Sequence, residues 1–453
     1  MSNLFLAKTC ELHVHIGGCL SAEHLLELGR EHYKNIDWTL YKSSYQKAFG
    51  YIPDPCQYFS QAIADKNPRA LEPFYTIDKK DAGDFNRFQA KYDFGLCIFR
   101  YWWHTLGRVN ELLDRIFQQH QNEGIRYIEY RALAPHGEGA SKDLVDFHET
   151  IANAIRDVCN KNFQARYIIS LPRNSSLACY NIIKQWLDLK PNLRPYIVGF
   201  DFCHFEEGFP PAQLRDFFSQ LHADNTNDPE NYFGVTYHVG EIFFDKSLES
   251  SIRWCHEVVE LGATRLGHCI ALGLDPEVSI NRKPNAHLFE SVSERIAQIQ
   301  YDLKYNEQLK DWGIEINLYE LEKELKTLKK ISKEKRIKRI YSKDRLTEIR
   351  LRQNFVLFQL KKSNVVIEVC PTSNLLLGCI PDPSVHPIHR FMESGVSVTI
   401  GSDDPGLFGR SLSEEIDWVV RHLKISNSQL NRHLQNPVDF RFSKRRNKSP
   451  FGK

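Results

Sequence analysis

Methionine is nearly missing from this chain, with two in 453 residues, so flexible thioethers do not fill its interior. No run approaches the roughly 18 consecutive apolar residues that a membrane span needs. Neither sign of charge dominates: 59 basic against 57 acidic residues leave +2, so no global field recruits nucleic acid or an anionic membrane. No CxxC pair occurs among the eleven cysteines, whose odd number and scatter argue against a disulfide framework and for thiols kept reduced in a cytoplasm. The start, MSNLFLAKTCELHVH, lacks the charged beginning and long apolar stretch of a secretory signal, so a cytoplasmic protein is expected. What is present is ordinary for a globular chain: 42% hydrophobic and 26% charged residues exclude a mostly disordered polymer. Phe (28) and Tyr (19) are plentiful, so aromatic rings are expected to fill much of the core.

Short β-branched and aromatic runs alternate with long helical stretches, which suggests parallel β/α units. Eight candidate strands are Cys10–Ile16, Arg126–Leu133, Arg166–Leu171, Tyr196–Cys203, Gly234–His238, Arg265–Cys269, Val365–Val369 and Ser397–Gly401. Several are near-continuous apolar runs, as expected of strands covered on both faces. Eight such units predict an α/β fold, a closed (β/α)8 TIM barrel with its chemistry at the C-terminal strand ends. One barrel domain over 1–435 is expected, with helical insertions at about 17–125 and 273–364 and a basic tail over 436–453. In the second insertion, Leu321, Leu325, Leu328, Ile331, Ile337 and Ile340 recur at roughly helical spacing inside a charged run to Arg352. That pattern predicts a solvated helix or helical hairpin decorating the barrel, with an oligomerisation or anion-binding arm as the alternative.

His13 and His15 lie two apart on the first candidate strand, which puts both imidazoles on one face. His238 ends the fifth and is followed by Gly240 and Glu241; His268 ends the sixth; Asp403 and Asp404 follow the eighth. Each alone reads as structural. Gathered at one end of one barrel they need a metal or a partner to offset the burial of charge. Three imidazoles and a carboxylate suit a borderline ion such as Zn²⁺, one per chain, and other first-row metals as well. Such a site supports hydrolysis, and Glu241, three residues beyond a proposed ligand, is placed to shuttle a proton.

The segments ELHVHIGG, HVGE, RLGHC, EVCPTSN and SDDPGLFG, in that order from about Glu11 to Glu415, resemble the adenosine deaminase family. The resemblance implies a (β/α)8 barrel with one catalytic zinc that hydrolyses an exocyclic purine amine to a keto group and releases ammonia. It implies that His13, His15, His238 and Asp403 hold the metal. Glu241 would protonate the ring nitrogen beside the attacked carbon, His268 would orient the attacking water, and Asp404 would hydrogen-bond the purine. Ser373 and Asn374 are read as supporting their loop.

Two positions depart from the family's pattern. Gly17 stands where adenosine-specific members usually carry an Asp near the ribose 5′-hydroxyl, and His204 stands where a small residue is usual. His15, Gly17, His204 and Asp404 are therefore the expected substrate contacts. Losing a carboxylate at Gly17 would favour a 5′-phosphorylated substrate, with Arg173 and Arg410 as candidate phosphate partners; a shifted loop supplying the same contact is the alternative. GHCIALG with HVGE also resembles a nucleotide-directed, defence-associated branch that includes ATP deaminases.

Rival readings are weaker. A cytidine-type zinc deaminase uses H-x-E with P-C-x-x-C. His204-Phe205-Glu206 and His136-Gly137-Glu138 match the first half, but Pro55-Cys56 has no second Cys three residues on. A two-metal amidohydrolase would bring a bridging Lys after the fourth strand, and none lies between Tyr196 and Leu221. A catalytically altered scaffold relative should have lost a ligand or Glu241, and all are present. The expected partner is a purine nucleoside or nucleotide; the near-zero net charge argues against nucleic acid, and the insertions are where a homo-oligomer would form.

Overall fold

The computed structural model describes residues 3–134, 141–423, 434 and 436–445. Ten strands occur in chain order: β1 (Cys10–His15), β2 (Tyr127–Leu133), β3 (Gln164–Ser170), β4 (Ile197–Asp201), β5 (Gly234–Val239), β6 (Arg265–His268), β7 (Phe289–Ser291), β8 (Arg336–Lys338), β9 (Val366–Val369) and β10 (Ser397–Ile400). All but β7 and β8 form one parallel sheet in the order β1-β2-β3-β4-β5-β6-β9-β10. The ring closes where Val14 bridges Asp403: His15 N donates to Asp403 O (2.9 Å) and Asp403 N to His13 O (2.9 Å). This is a (β/α)8 barrel, with each of the eight expected strands found within two residues of its expected start.

The apolar runs form strands because helices cover their outer face, while the inner face carries charge. Glu129, Arg131, Arg265 and Glu368 are buried inside the ring. Arg265 pairs with both Glu129 and Glu368, and Arg131 Nη2 donates to Glu368 Oε2 at 2.8 Å. Removing one partner of such a pair leaves an unpaired buried charge, at a cost of about 3–5 kcal/mol. β1 slips its register between Glu11 and Val14. The Glu11 carboxylate lies inside that irregularity and accepts from His13 N (2.7 Å), Ser402 N (3.0 Å) and Ser402 Oγ (2.8 Å), tying β1 to the segment after β10.

Residues 17–125 contain the helices Ala22–Gly29, Thr39–Phe49, Pro55–Ala64, Phe85–Arg100 and Val109–Asn122. Their aromatic residues Tyr41, Phe59 and Phe94 belong to the same apolar core as the barrel. The long helical reading of the second insertion needs correction. A helix spans Leu318–Leu328, but Ile337 lies in β8, which pairs antiparallel with β7, and Ile340 is exposed. Leu328, Val292 and Ile299 form a small separate apolar cluster with Ile337 packed against it. Lys343–Lys362 is a helix whose Ile349, Phe355, Val356 and Leu360 are buried in the main core. The decorating part of 273–364 therefore stops before residue 343.

The stretch expected to begin a tail at 436 packs, in its described part, against the N-terminal end of the barrel. The Phe442 ring is buried under the Arg265 guanidinium at 4.2 Å, where a side chain at Gly199 or Gly234 would collide with it. Its amide donates to Glu129 Oε1 (2.9 Å). Residues 446–453 and the segment His136-Gly137-Glu138 lie outside the described residues. Among the described residues, no helix is long and apolar enough to cross a membrane.

Candidate active site

The C-terminal ends of the strands leave the sheet through strained backbone. His204 (φ 67°), His268 (φ 65°) and Asp403 (φ 63°) are non-glycine residues in the left-handed region, and Gly240 (φ 64°) makes the corresponding turn after β5. Such conformations cost about 1–3 kcal/mol each and persist where the surroundings dictate them. Here they turn side chains inward over the barrel mouth.

One ligand atom from each of His13, His238, His268 and Asp403 falls within 4.8 Å of the others, and all four residues are buried. His15 adjoins this group: its Nε2 lies 3.4 Å from Asp403 Oδ1 and 3.2 Å from His238 Nε2. The far nitrogens are held from behind. His13 Nδ1 lies 2.8 Å from Glu368 Oε2, His238 Nδ1 3.0 Å from Asp201 Oδ1, and His268 Nδ1 2.8 Å from Asn374 Oδ1. Each of these partners is an oxygen that only accepts, so Nδ1 carries the proton and Nε2 turns its lone pair inward. His13 Nε2 and His268 Nε2 are buried without a partner, and His238 Nε2 turns its lone pair toward His15 Nε2, 3.2 Å away. That donor set fits a metal ion, with His13, His15, His238 and Asp403 able to ligate and His268 beside them.

The carboxyl groups divide by environment. Burial opposes ionisation of Asp403, but His13, His268 and His15 outweigh it and hold the group well below the usual carboxylate range. Burial, then the charges of Asp403 and Glu241, push Asp404 well above it; its Oδ1 has no partner. Burial raises Glu241 too, against the pull of His268, whose Nε2 lies 3.5 Å from Glu241 Oε1. Asp403 is kept charged, Asp404 is pushed toward its protonated form, and Glu241, raised to about 7, exchanges its proton near neutral pH, a separation that assigns acid and base roles.

Glu206 fixes the loop that presents Glu241: its two oxygens accept from Gly240 N and Glu241 N, each at 3.0 Å. Arg173, a candidate phosphate partner, does not line the cavity above the site. It is buried and donates from Nη2 to Phe202 O (2.8 Å) and His238 O (2.9 Å), which holds β4 and β5 together under the site.

A cavity of about 180 Å³ opens above His15, His238, Glu241, His268, Asp403 and Asp404. One face of the helix Phe85–Arg100 walls it with Phe85, Phe88, Tyr92 and Leu96; Leu133 and Leu377 add further apolar surface. His204 lines this cavity, but Gly17 does not. A Cβ at Gly17 would fall 2.0 Å from the Tyr92 hydroxyl, and one at Gly18 1.8 Å from Asp404 Oδ1. Gly17 is thus small because Tyr92 occupies the space.

The adenosine deaminase family model matches residues 56–301 and 350–450. The chain belongs to the adenosine deaminase family. The match starts after β1, so His13 and His15 enter the site through the structure and through ELHVHIGG. An adenine deaminase of Rhizobium meliloti (strain 1021) is 38% identical over 84 residues, 18% of this chain and 26% of that protein. The chain thus matches about a quarter of the length of that curated relative. A crystal structure of Arabidopsis ADAL complexed with GMP covers 97% of this chain and 94% of its own, at 16% identity and a TM-score of 0.53. A Zn-bound amidohydrolase from Burkhoderia ambifaria covers 97% and 87%, at 16% identity and a TM-score of 0.52. These solved structures share the barrel fold of the adenosine deaminase family.

Sequence reasoning missed Glu368, Asp201 and Glu206, which orient the His–Asp–Glu group, and the aromatic wall. Two signals were available: charged residues inside otherwise apolar strands, and the apolar spacing Phe85, Phe88, Tyr92, Leu96 on one helical face.

Proposed function

We propose that this chain is a metal-dependent aminohydrolase that adds water to an adenine-type purine, leaving a keto group on the ring and releasing ammonia. The observation that carries the reading is the convergence of His13, His238, His268 and Asp403 under a pocket that also holds Glu241 and Asp404, both raised above the usual carboxylate range. His13, His15, His238 and Asp403 would hold a single zinc ion. When bound, such an ion supplies a Lewis acid that lowers the pKa of water from 15.7 to about 7.

The chain's own groups supply the rest. Glu241 gives its proton to the ring nitrogen next to the attacked carbon, which makes that carbon electrophilic. His268, fixed by Asn374, orients the water and stabilises charge as the ring loses aromaticity. Asp404 remains protonated and donates a hydrogen bond to an acceptor nitrogen of the purine. Phe85, Phe88 and Tyr92 stack on the base and exclude bulk water.

The pocket favours an uncharged substrate, a base or nucleoside, over a nucleotide. Among the described residues no Lys or Arg lines it. A phosphate there would find no cationic partner among the described residues. Ammonia release from adenine, adenosine, deoxyadenosine, AMP, ATP and an N6-methylated analogue tests the reading. Turnover of adenine or adenosine above AMP and ATP is expected. No release from any of them would sink the activity, and AMP or ATP winning would sink the preference alone.

A further inference from the structure

A second hollow, of about 900 Å³, opens on the side of the helix Pro371–Leu377 that faces away from the barrel mouth. Leu375, Ile380 and Pro381 give it an apolar floor. Lys79, Arg282 and Arg410 bring three cationic side chains to its walls, against the single carboxylate of Glu277. Among the described residues none of these cations is in a salt bridge. Arg282 lies against the rings of Phe243 (4.3 Å) and Phe244 (4.6 Å) and donates from Nη1 to Gly378 O (2.5 Å), while its Nε and Nη2 have no partner. Burial lowers its pKa to about 9, against the pull of Cys379 and Glu206, so the guanidinium is charged at neutral pH, and no carboxylate pairs with it directly. Unpaired cations around an apolar floor form the reverse of the purine cavity, which has an apolar wall and no cation.

We propose that this hollow binds an organic phosphate, with the phosphate end held by Lys79 and Arg410 beside the buried charge of Arg282 and the apolar end on Leu375, Ile380 and Pro381. Guanidinium and ammonium groups recognise phosphate oxygens by charge-assisted hydrogen bonds, and the volume suits a ligand of nucleotide size. The helix Pro371–Leu377 separates the two cavities. Its Asn374 orients His268 and its Leu377 lines the purine cavity, so a ligand in the hollow presses on an element of the active site. The inference goes beyond the proposed reaction and does not depend on it.

Titration calorimetry of the full chain with inorganic tripolyphosphate, and then with ATP, tests it at fixed ionic strength. Saturable binding is expected in the unaltered protein and equally in Glu241→Gln. Lys79→Gln with Arg410→Gln should weaken it by roughly tenfold or more. The charge-keeping pair Lys79→Arg and Arg410→Lys should retain it, which guards against a folding artefact. Neutralising Lys329 and Lys330 in the second insertion should leave the affinity within about twofold, since those side chains are exposed and outside the hollow. Absence of saturable binding at millimolar tripolyphosphate would overturn the proposal. So would binding that survives loss of both groove cations, or binding that disappears with Lys329 and Lys330.

Discussion

Burial, helped by the charges of Asp403 and Glu206, raises Glu241 to about 7 against the pull of His268 and Arg173, so it can carry a proton in the purine cavity. Glu241→Gln preserves shape and hydrogen bonding but supplies no acid. We expect it to keep its metal, read by elemental analysis, while kcat falls by about 10²- to 10⁴-fold, the usual range for a lost general acid. Asp201 acts one step back. It accepts from His238 Nδ1, and burial, which opposes its charge, is outweighed by His238 and Arg131, so it remains ionised. Asp201→Asn can offer its amide to that nitrogen and so favour the wrong tautomer. A 10- to 100-fold weaker zinc affinity, measured by competition with a chelator, is expected, as for other groups behind metal ligands. His13, His15, His238, Asp403 and Glu241 were legible because strand alternation and strand ends put them on one rim. Asp201, Glu368 and Asn374 were not, because each meets its histidine across a different strand, where no sequence spacing connects them.

At the scale of elements, the eight strands were legible for a simple reason: burial on both faces leaves continuous apolar runs that polar flanks interrupt. The second insertion was misread because Ile337 packs, through a hairpin, on the cluster of Val292, Ile299 and Leu328, and three residues of strand fit inside a helical repeat by coincidence. The helix Phe85–Arg100 is the element that gives the pocket its character, and its fit to the turn Ile16–Gly18 after β1 is close. Gly17→Ala should drive a methyl into the Tyr92 hydroxyl and cost about 1–3 kcal/mol in denaturant melts. Tyr92→Ala in the same chain should recover most of that loss, giving a coupling of more than about 1 kcal/mol. Independent, additive costs would show that Tyr92 does not explain the glycine.

Across the whole molecule, buried carboxyls set opposing responses to pH. Burial raises Glu415 to about 7, although its carboxylate accepts from Thr372 N at 3.0 Å. The folded state therefore holds a proton that the unfolded chain releases near pH 4.5. The contribution is complete below that pH and declines until about pH 7, by up to about 3 kcal/mol. Glu249 does the opposite: Arg345 and Arg339 overcome its burial and hold it at about 2, so its contribution is present above pH 4.5 and declines as pH falls toward 2. Melting temperatures of Glu415→Gln relative to the unaltered protein should rise steadily from pH 5 to 7.5. A constant difference across that range would remove Glu415 from the account.

The hydrogen bonds that shut the barrel, His15 N to Asp403 O and Asp403 N to His13 O, belong to three residues offered as metal ligands. Closure of the sheet and binding of a metal by these residues would thus be coupled. Zinc at a thousandfold excess over its dissociation constant would then contribute about 4 kcal/mol to the native state. Stripping it should speed deuterium uptake at the amides of residues 15 and 403 before those of β3 or β4, so that isotope exchange maps the weld as the first place the ring comes apart.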